Sequence, residues 1–260
     1  MLSPAIALLD RLPAPWRGDR LVCSRLGNPD NLVLHGDDSG LVLLAPTSGG
    51  LSVSGYGAGC PEVVAELCEA GELDRPLRWI DLPGEVTLAA PVRDRLRLTR
   101  QPGWDWLWTE VSPEPAPVPV VALDPVRDAA AIRDCLAEAN PETWGDPDGP
   151  DQVGWWGVAE AGVLTGVIGA AARPGGSATA TSWHLEGLGV RPDARGRGLG
   201  SALTAAATRA GLAAGADWVS LGVWAANLAA IRIYHRLGYR TGHHRASWRP
   251  GTGCDAACHD

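Results

Sequence analysis

The stretch Leu188-Gly189-Val190-Arg191-Pro192-Asp193-Ala194-Arg195-Gly196-Arg197-Gly198-Leu199-Gly200-Ser201 decides how this chain is read. It joins the end of an apolar run, Thr181 to Val190, stopped by Pro192, to a helical stripe of Leu199, Ala202, Leu203, Ala206 and Ala210. Between them, Gly196, Gly198 and Gly200 permit positive φ and let a ligand approach the main chain with no Cβ in the way. The first N–H groups of a helix have no intrahelical acceptor, and the macrodipole adds partial positive charge there. With the guanidinium groups of Arg195 and Arg197 beside them, such amides suit a pyrophosphate. The bland alternative is a glycine-rich turn decorated with solvated arginines.

Downstream, Trp218 to Trp224 reads as a strand, Leu228 to Leu237 as a helix closed by Gly238, and Tyr239 onward as a last strand. Upstream, Asp124 and Pro125 open a helix carrying Val126, Ala129, Ile132, Leu136 and Ala139 at helical spacing. A polar loop from Asn140 to Gln152 follows, and then a hairpin, Val153 to Ala159 and Val163 to Ala171, about Glu160-Ala161-Gly162. This order predicts an α/β (α+β) fold with a mixed central sheet flanked by helices.

The quoted stretch resembles the signature of the GNAT superfamily of N-acetyltransferases, Q/R-x-x-G-x-G/A after a strand ending in an L-x-V-type run. The second half, from about Val118 to Trp248, is similar in element order to that fold. The resemblance implies acetyl-CoA, or another acyl-CoA, as acyl donor. Its pyrophosphate would lie on the bend made by Arg195, Gly196, Arg197, Gly198, Leu199, Gly200 and Ser201, and its pantetheine arm against the backbone of Leu188, Gly189 and Val190. Asn227, Ala230, Tyr234, Gly238 and Tyr239 are similar to the family's second CoA-contacting segment. That likeness implies Asn227 near the pantetheine and Tyr234 as the acid that protonates the departing thiolate. The competing reading of Tyr234 is a core tyrosine whose hydroxyl finds a backbone partner. The resemblance covers half the chain, and the first half shows no second copy of the signature.

An amine attacks a thioester only with its lone pair free, whereas an alkyl ammonium has a pKa near 10, so a base is required. His184 and Glu186 are two apart on the strand before the bend and share a face. Family members commonly carry a Glu or a His at one of these positions, and both remain candidates. His184 has the better unperturbed pKa, and Glu186 needs burial or a water relay. The implied reaction is direct attack without a covalent enzyme species, with a backbone N–H near Leu188 stabilising the oxyanion. Cys68 and Cys135 read as packing residues on helices. Glu142, Trp144, Asp146, Asp148 and Asp151 in the polar loop are expected to border the acceptor site, or else to form a solvated acidic face.

The run Ser112-Pro113-Glu114-Pro115-Ala116-Pro117-Val118-Pro119 predicts a linker between residues 1–112, a smaller α+β accessory domain, and residues 118–250, the acetyltransferase domain. In the first half, strands are expected at Arg20–Arg25, Asn31–His35, Leu41–Leu44, Leu77–Ile80 and Thr87–Ala90, with a helix from Pro61. Trp104, Trp106 and Trp108 alternate, so on a strand they share a face, which reads as core filling in preference to the wall of a ligand pocket. Gly55-Tyr56-Gly57-Ala58-Gly59 is only faintly like a phosphate loop and reads as a turn.

The chain has 260 residues, and its 22 basic residues, all arginine, stand against 30 acids for a net charge of −8. That balance argues against a nucleic-acid partner and favours cationic small molecules. No apolar run approaches the roughly 20 residues of a membrane helix. Met1 to Trp16 does not read as a secretory signal, and Ser3-Pro4 followed by Ile6, Leu8, Leu9 and Leu12 reads as a capped short helix, so a cytoplasmic location with six reduced cysteines is expected. Phenylalanine is absent, which leaves tryptophan to fill aromatic volume. Cys254, Cys258 and His259, with His243 and His244 nearby, lack a recognised zinc spacing, so no metal is expected. The function these features imply is transfer of an acetyl group from acetyl-CoA to a primary amine, on a small molecule or a peptide N-terminus. A non-catalytic acyl-CoA-binding module and an O-acyltransferase are the alternatives.

Overall fold

The computed structural model describes residues 8–27, 31–47, 49–177 and 179–251. It divides into two compact units. Unit 1 comprises the chain to Asp105, Trp224–Ala226 and the segment from His243, and unit 2 comprises Trp106–Val223 and Asn227–Gly242. The Pro-rich run 112–119 is irregular and lies inside unit 2.

Unit 1 opens with a short helix α1 (Arg20–Arg25), followed by β1 (Val33–Gly36), β2 (Leu41–Thr47) and β3 (Gly50–Tyr56). These strands form an antiparallel meander. Helix α2 (Cys60–Glu69) then crosses to β4 (Leu77–Pro83), which is parallel to β3. After α3 (Ala90–Arg95) comes the first part of β5 (Leu98–Thr109). The end of β11 (Arg240–Pro250) returns to pair antiparallel with β4. Val42, Leu44, Val53, Val64, Ile80, Leu82 and Trp248 are among the residues of its core.

Two expected strands do not form. Arg20–Arg25 forms α1 because the Asp19 side chain caps it, accepting from the Val22 N–H at 2.9 Å, while Leu21, Val22, Cys23 and Ser24 are buried. Thr87–Ala89 is irregular and leads into α3, where Pro91 sits in the first turn with its missing N–H costing nothing. Strand β3, rich in Gly and Ser, was not expected. Residues 3–7 of the proposed N-terminal helix and the cysteines of the tail lie outside the described residues.

Unit 2 contains the rest of β5, β6 (Val121–Leu123), α4 (Ala129–Ala139), β7 (Gln152–Glu160), β8 (Val163–Pro174) and β9 (Thr181–Val190). Helix α5 (Leu199–Ala213), β10 (Val219–Trp224) and α6 (Leu228–Arg236) follow. Its strands order β6-β7-β8-β9-β10, antiparallel except for the β9–β10 pair, so the sheet is mixed as expected. The β7–β8 hairpin turns on Ala161 and Gly162, both at positive φ (48° and 82°), which is the two-residue turn that matches strand twist. Asp124 caps a separate turn, accepting from the Val126 and Arg127 N–H groups, so α4 starts later than expected and Val126 is exposed.

Tryptophan takes the space that phenylalanine would share. Trp155 is fully buried, and a Cβ on Gly169 or Gly187 would lie 2.7 Å from its ring. Trp106 is buried on β5, which accords with core filling. In unit 1 the Trp104 Nε1–H donates to Ser247 Oγ at 3.0 Å.

Candidate active site

The parallel strands β9 and β10 are in register from Trp183↔Val219 to Leu185↔Leu221. Strand β9 runs on to Val190 and β10 to Trp224, past the last of these pairs. On its other side, β9 carries a bulge. Glu186 opposes Gly169 and Gly189 opposes Val167, so Gly187 and Leu188 together face Ile168. Gly187 takes φ 63°, the left-handed region a bulge of this kind requires, and turns the main chain at the point where the pairing with β10 stops. The Asn140 side chain donates to the Leu188 carbonyl at 3.0 Å. Gly189 has a packing role, because a Cβ there would lie 2.9 Å from that of Ala139 on α4. Leu188, Gly189 and Val190 therefore offer backbone beside the place where the two parallel strands part.

The bend after β9 has the expected form. Pro192–Ala194 makes one 3-10 turn, and Gly196 and Gly198 both sit at positive φ, 76° and 78°. A Cβ on either would meet no heavy atom within 4 Å, so what these glycines keep open is solvent-facing space. Gly198 is the N-cap of α5 without a side-chain cap. Among the described residues, the N–H groups of Gly198, Leu199, Gly200 and Ser201 receive no acceptor. Four donors thus converge at the positive end of a 15-residue helix, in geometry suited to an anion. Behind them α5 is anchored by Leu199, Ala202 and Leu203, and Gly211 lets it approach Trp183 on β9.

The arginines are engaged with protein groups. Arg195 donates to the carbonyls of Val190 (3.1 Å) and Ala139 (3.2 Å), which ties the bend to β9 and α4. Arg197 pairs with Glu160, both side chains about half exposed. An exposed pair of this kind contributes about 0–1 kcal/mol, so Arg197 can turn to a phosphate at small cost. Arg191, which the sequence did not single out, bridges Asp134 and Glu138 of α4 and donates to the Leu164 carbonyl.

The two base candidates have different surroundings. Nδ1 of His184 lies 3.0 Å from Ser220 Oγ, across the parallel pair. Glu186 accepts from Gln152 Nε2 on β7. Burial pushes the Glu186 carboxyl above its ordinary range, opposed by the Gln152 hydrogen bond and the Arg173 charge. The Gln152 contact was invisible in the sequence, since the two residues are 34 apart and lie on β7 and β9, strands separated in the sheet by β8.

Tyr234 is the buried residue of α6, and burial pushes its phenol up to about 12. Its hydroxyl makes no hydrogen bond among the described residues, so the core-tyrosine reading with a backbone partner is not what the structure contains. Its ring packs 6.0 Å from that of Tyr239, whose own hydroxyl is satisfied by Thr208 Oγ1 at 2.6 Å. Tyr234 shares an apolar cluster with Leu185, the residue between the two base candidates, whose side chain alternates to the opposite face of β9. Asn227 caps α6, its Oδ1 accepting from the Ala230 N–H at 3.1 Å, which leaves its amide Nδ2 for other contacts.

In the acidic loop, Asp146 and Asp148 both pair with Arg133, and Asp151 pairs with Arg173. Three of the carboxylates expected to attract a cation are thus paired, but with two guanidinium charges between them, so this set keeps one net negative charge.

A family model described as "Acetyltransferase (GNAT) family" matches residues 124–239, from the Asp124 turn through Tyr239. Residues 124–239 are a GNAT acetyltransferase domain. The chain is 32% identical over 177 residues to a mycothiol acetyltransferase of Streptomyces coelicolor, an alignment of 66% of this chain, and it spans about half (50%) of that relative's length. Among solved structures, a GNAT-family acetyltransferase from Novosphingobium aromaticivorans has a TM-score of 0.60 at 21% identity, over 91% of this chain and 99% of that one. A GCN5-related N-acetyltransferase from Kribbella flavida also gives 0.60, at 20% identity, over 88% and 94%. A tandem GNAT protein of the clavulanic acid biosynthesis pathway gives 0.50 at 15% identity, over 95% and 93%. These likenesses extend through both units at the level of the fold. Among the described residues, no helix is long and apolar enough to cross a membrane.

Proposed function

We propose that the chain is a cytoplasmic acetyl-CoA-dependent N-acetyltransferase whose acceptor is a primary amine. The observation that carries this reading is the bend at the start of α5, with its acceptorless amides from Gly198 to Ser201 and open space at Gly196 and Gly198. A CoA pyrophosphate there would take charge-assisted bonds from the main chain. The pantetheine would then run between the separating ends of β9 and β10, presenting its thioester near Leu188. The donor is a substrate and enters from solution.

Glu186 is the better base of the two. Its carboxyl is shifted toward neutrality by burial, is held at one oxygen by Gln152, and retains the second oxygen for an ammonium proton or a water that relays it. His184 shares its strand face and its Nδ1 is engaged with Ser220. Tyr234 remains protonated throughout the working range and has its hydroxyl uncommitted, as a donor to the departing thiolate requires. It belongs to the opposite face of β9 from Glu186, so proton removal and proton delivery would come from two sides of the reacting carbonyl. The relative's name, mycothiol acetyltransferase, supports a small-molecule acceptor.

The test is steady-state release of free CoA thiol with a panel of small amines and peptides. Amine-dependent turnover supports the reading. Binding of acetyl-CoA without turnover on any amine would replace it with a non-catalytic module.

A further inference from the structure

Unit 1 repeats the order of unit 2. Strands β1, β2 and β3 form an antiparallel meander, as β7, β8 and β9 do. In each unit the third strand passes through a glycine bend into a helix and then into a parallel strand, β3-α2-β4 and β9-α5-β10. A second helix and a long strand follow in both, α3-β5 and α6-β11. In each, a hydrogen-bonded polar pair joins the parallel strands: Ser54 Oγ donates to Asp81 Oδ1 at 2.7 Å, and His184 meets Ser220 at 3.0 Å. The sequence hides this repeat because the first bend reads Gly57-Ala58-Gly59-Cys60, with no arginine.

The two bends differ in what fills them. In unit 2 nothing lies within 4 Å of a Cβ placed on Gly196 or Gly198. In unit 1, Gly57 has the same conformation, φ 77°, but a Cβ there would lie 2.5 Å from the Ser39 carbonyl oxygen and 2.7 Å from the Trp16 ring. The Gly59 N–H already donates to the Ser39 carbonyl at 3.0 Å. Ser39 is pinned by Asp37, and the Trp16 indole by the Asp37 carbonyl. The slot differs too. Strands β3 and β4 are in register up to Ser54↔Asp81. Just past that pair the fully buried Arg245 guanidinium donates to the Gly55 carbonyl (2.8 Å), the Asp81 carbonyl (3.1 Å) and the Asp81 carboxylate.

We infer that unit 1 is a second copy of the donor-binding architecture whose slot is filled from within by Arg245 and whose bend is sealed by Ser39 and Trp16, leaving one acyl-CoA site per chain. Gly55 O and Asp81 O, at the point where the registered pairing of β3 and β4 ends, both accept from this guanidinium. The inference rests on the donor reading of unit 2, and two measurements on the intact chain separate the two. Amide hydrogen exchange in the free protein is expected to be roughly 100-fold or more slower at Gly59 than at Gly198–Ser201. Calorimetry with acetyl-CoA is expected to give one equivalent bound, with new exchange protection at Gly198–Ser201 and none at residues 55–60. A second equivalent, CoA-dependent protection at 55–60, or exchange at Gly59 as fast as at Gly198–Ser201 would overturn the inference. Absence of any acetyl-CoA binding would instead overturn the function proposed for unit 2, and the free-protein exchange comparison would still decide whether the first bend is sealed.

Discussion

Replacing Gly198 by alanine separates the stability role of this glycine from its ligand role, because the chain supplies its own control. Gly198 and Gly215 stand at the two ends of α5, both at positive φ (78° and 88°), and a Cβ on either meets nothing within 4 Å. Steric collision therefore contributes nothing, and each substitution carries only the cost of a left-handed alanine, about 1–2 kcal/mol. In a protein of this size that lowers Tm by roughly 2–8 °C. Gly198→Ala and Gly215→Ala are thus expected to melt alike. Their CoA affinities are expected to differ. The methyl of Gly198→Ala enters the space facing the acceptorless amides, and loss of one charge-assisted hydrogen bond, about 1.5–3 kcal/mol, weakens binding roughly 10- to 150-fold. Gly215→Ala, at the far end of the helix, is expected to bind as the parent does. Scanning calorimetry and acetyl-CoA titration on the three proteins read both quantities. Equal affinity in all three, or equal loss in both variants, would refute the argument that the bend holds the pyrophosphate.

Tyr234→Phe is expected to keep its stability and its acetyl-CoA affinity, since the hydroxyl makes no hydrogen bond among the described residues, while kcat falls about 10²- to 10⁴-fold; thiol release measures this. Glu186→Gln is expected to abolish the acid limb of the kcat/KM profile, which in the parent falls as pH drops through a carboxyl pKa above the ordinary range. The stability effect has the opposite sign. A carboxyl whose folded pKa is raised binds more protons folded than unfolded, so its cost appears as pH rises through the window between the two values, and removing it is expected to raise Tm at neutral pH. Asp81→Asn leaves the buried Arg245 charge without its counter-ion and is expected to destabilise by about 3–5 kcal/mol in chemical denaturation, with acetyl-CoA affinity unchanged.

What was legible in the sequence was local. The strand ending at Val190, the bend, α5 and the hairpin at Ala161-Gly162 each carry their own punctuation, and the structure places them where that punctuation fell. The α1 segment read as a strand because Leu21, Val22 and Cys23 are contiguous and apolar over six residues, too short for a helical period to show, so that Asp19 was the deciding signal. Strand β3 was missed because Gly50, Ser52, Ser54 and Gly55 disguise a buried run. The Gln152–Glu186 contact, the role of Arg191 and the Arg245–Asp81 pair depend on register between distant strands, which no local pattern encodes. The proline run at 112–119 marks an irregular segment, whereas the compact units follow strand pairing, which returns β11 to β4.

Whether the bend at the start of α5 holds the donor's pyrophosphate is read by an NMR titration of the ¹⁵N-labelled chain with acetyl-CoA. The amide resonances of Gly198, Leu199, Gly200 and Ser201 are expected to move together and saturate with the calorimetric isotherm, and inorganic pyrophosphate is expected to move the same four at higher concentration. Saturable binding that leaves those four resonances in place would contradict that placement.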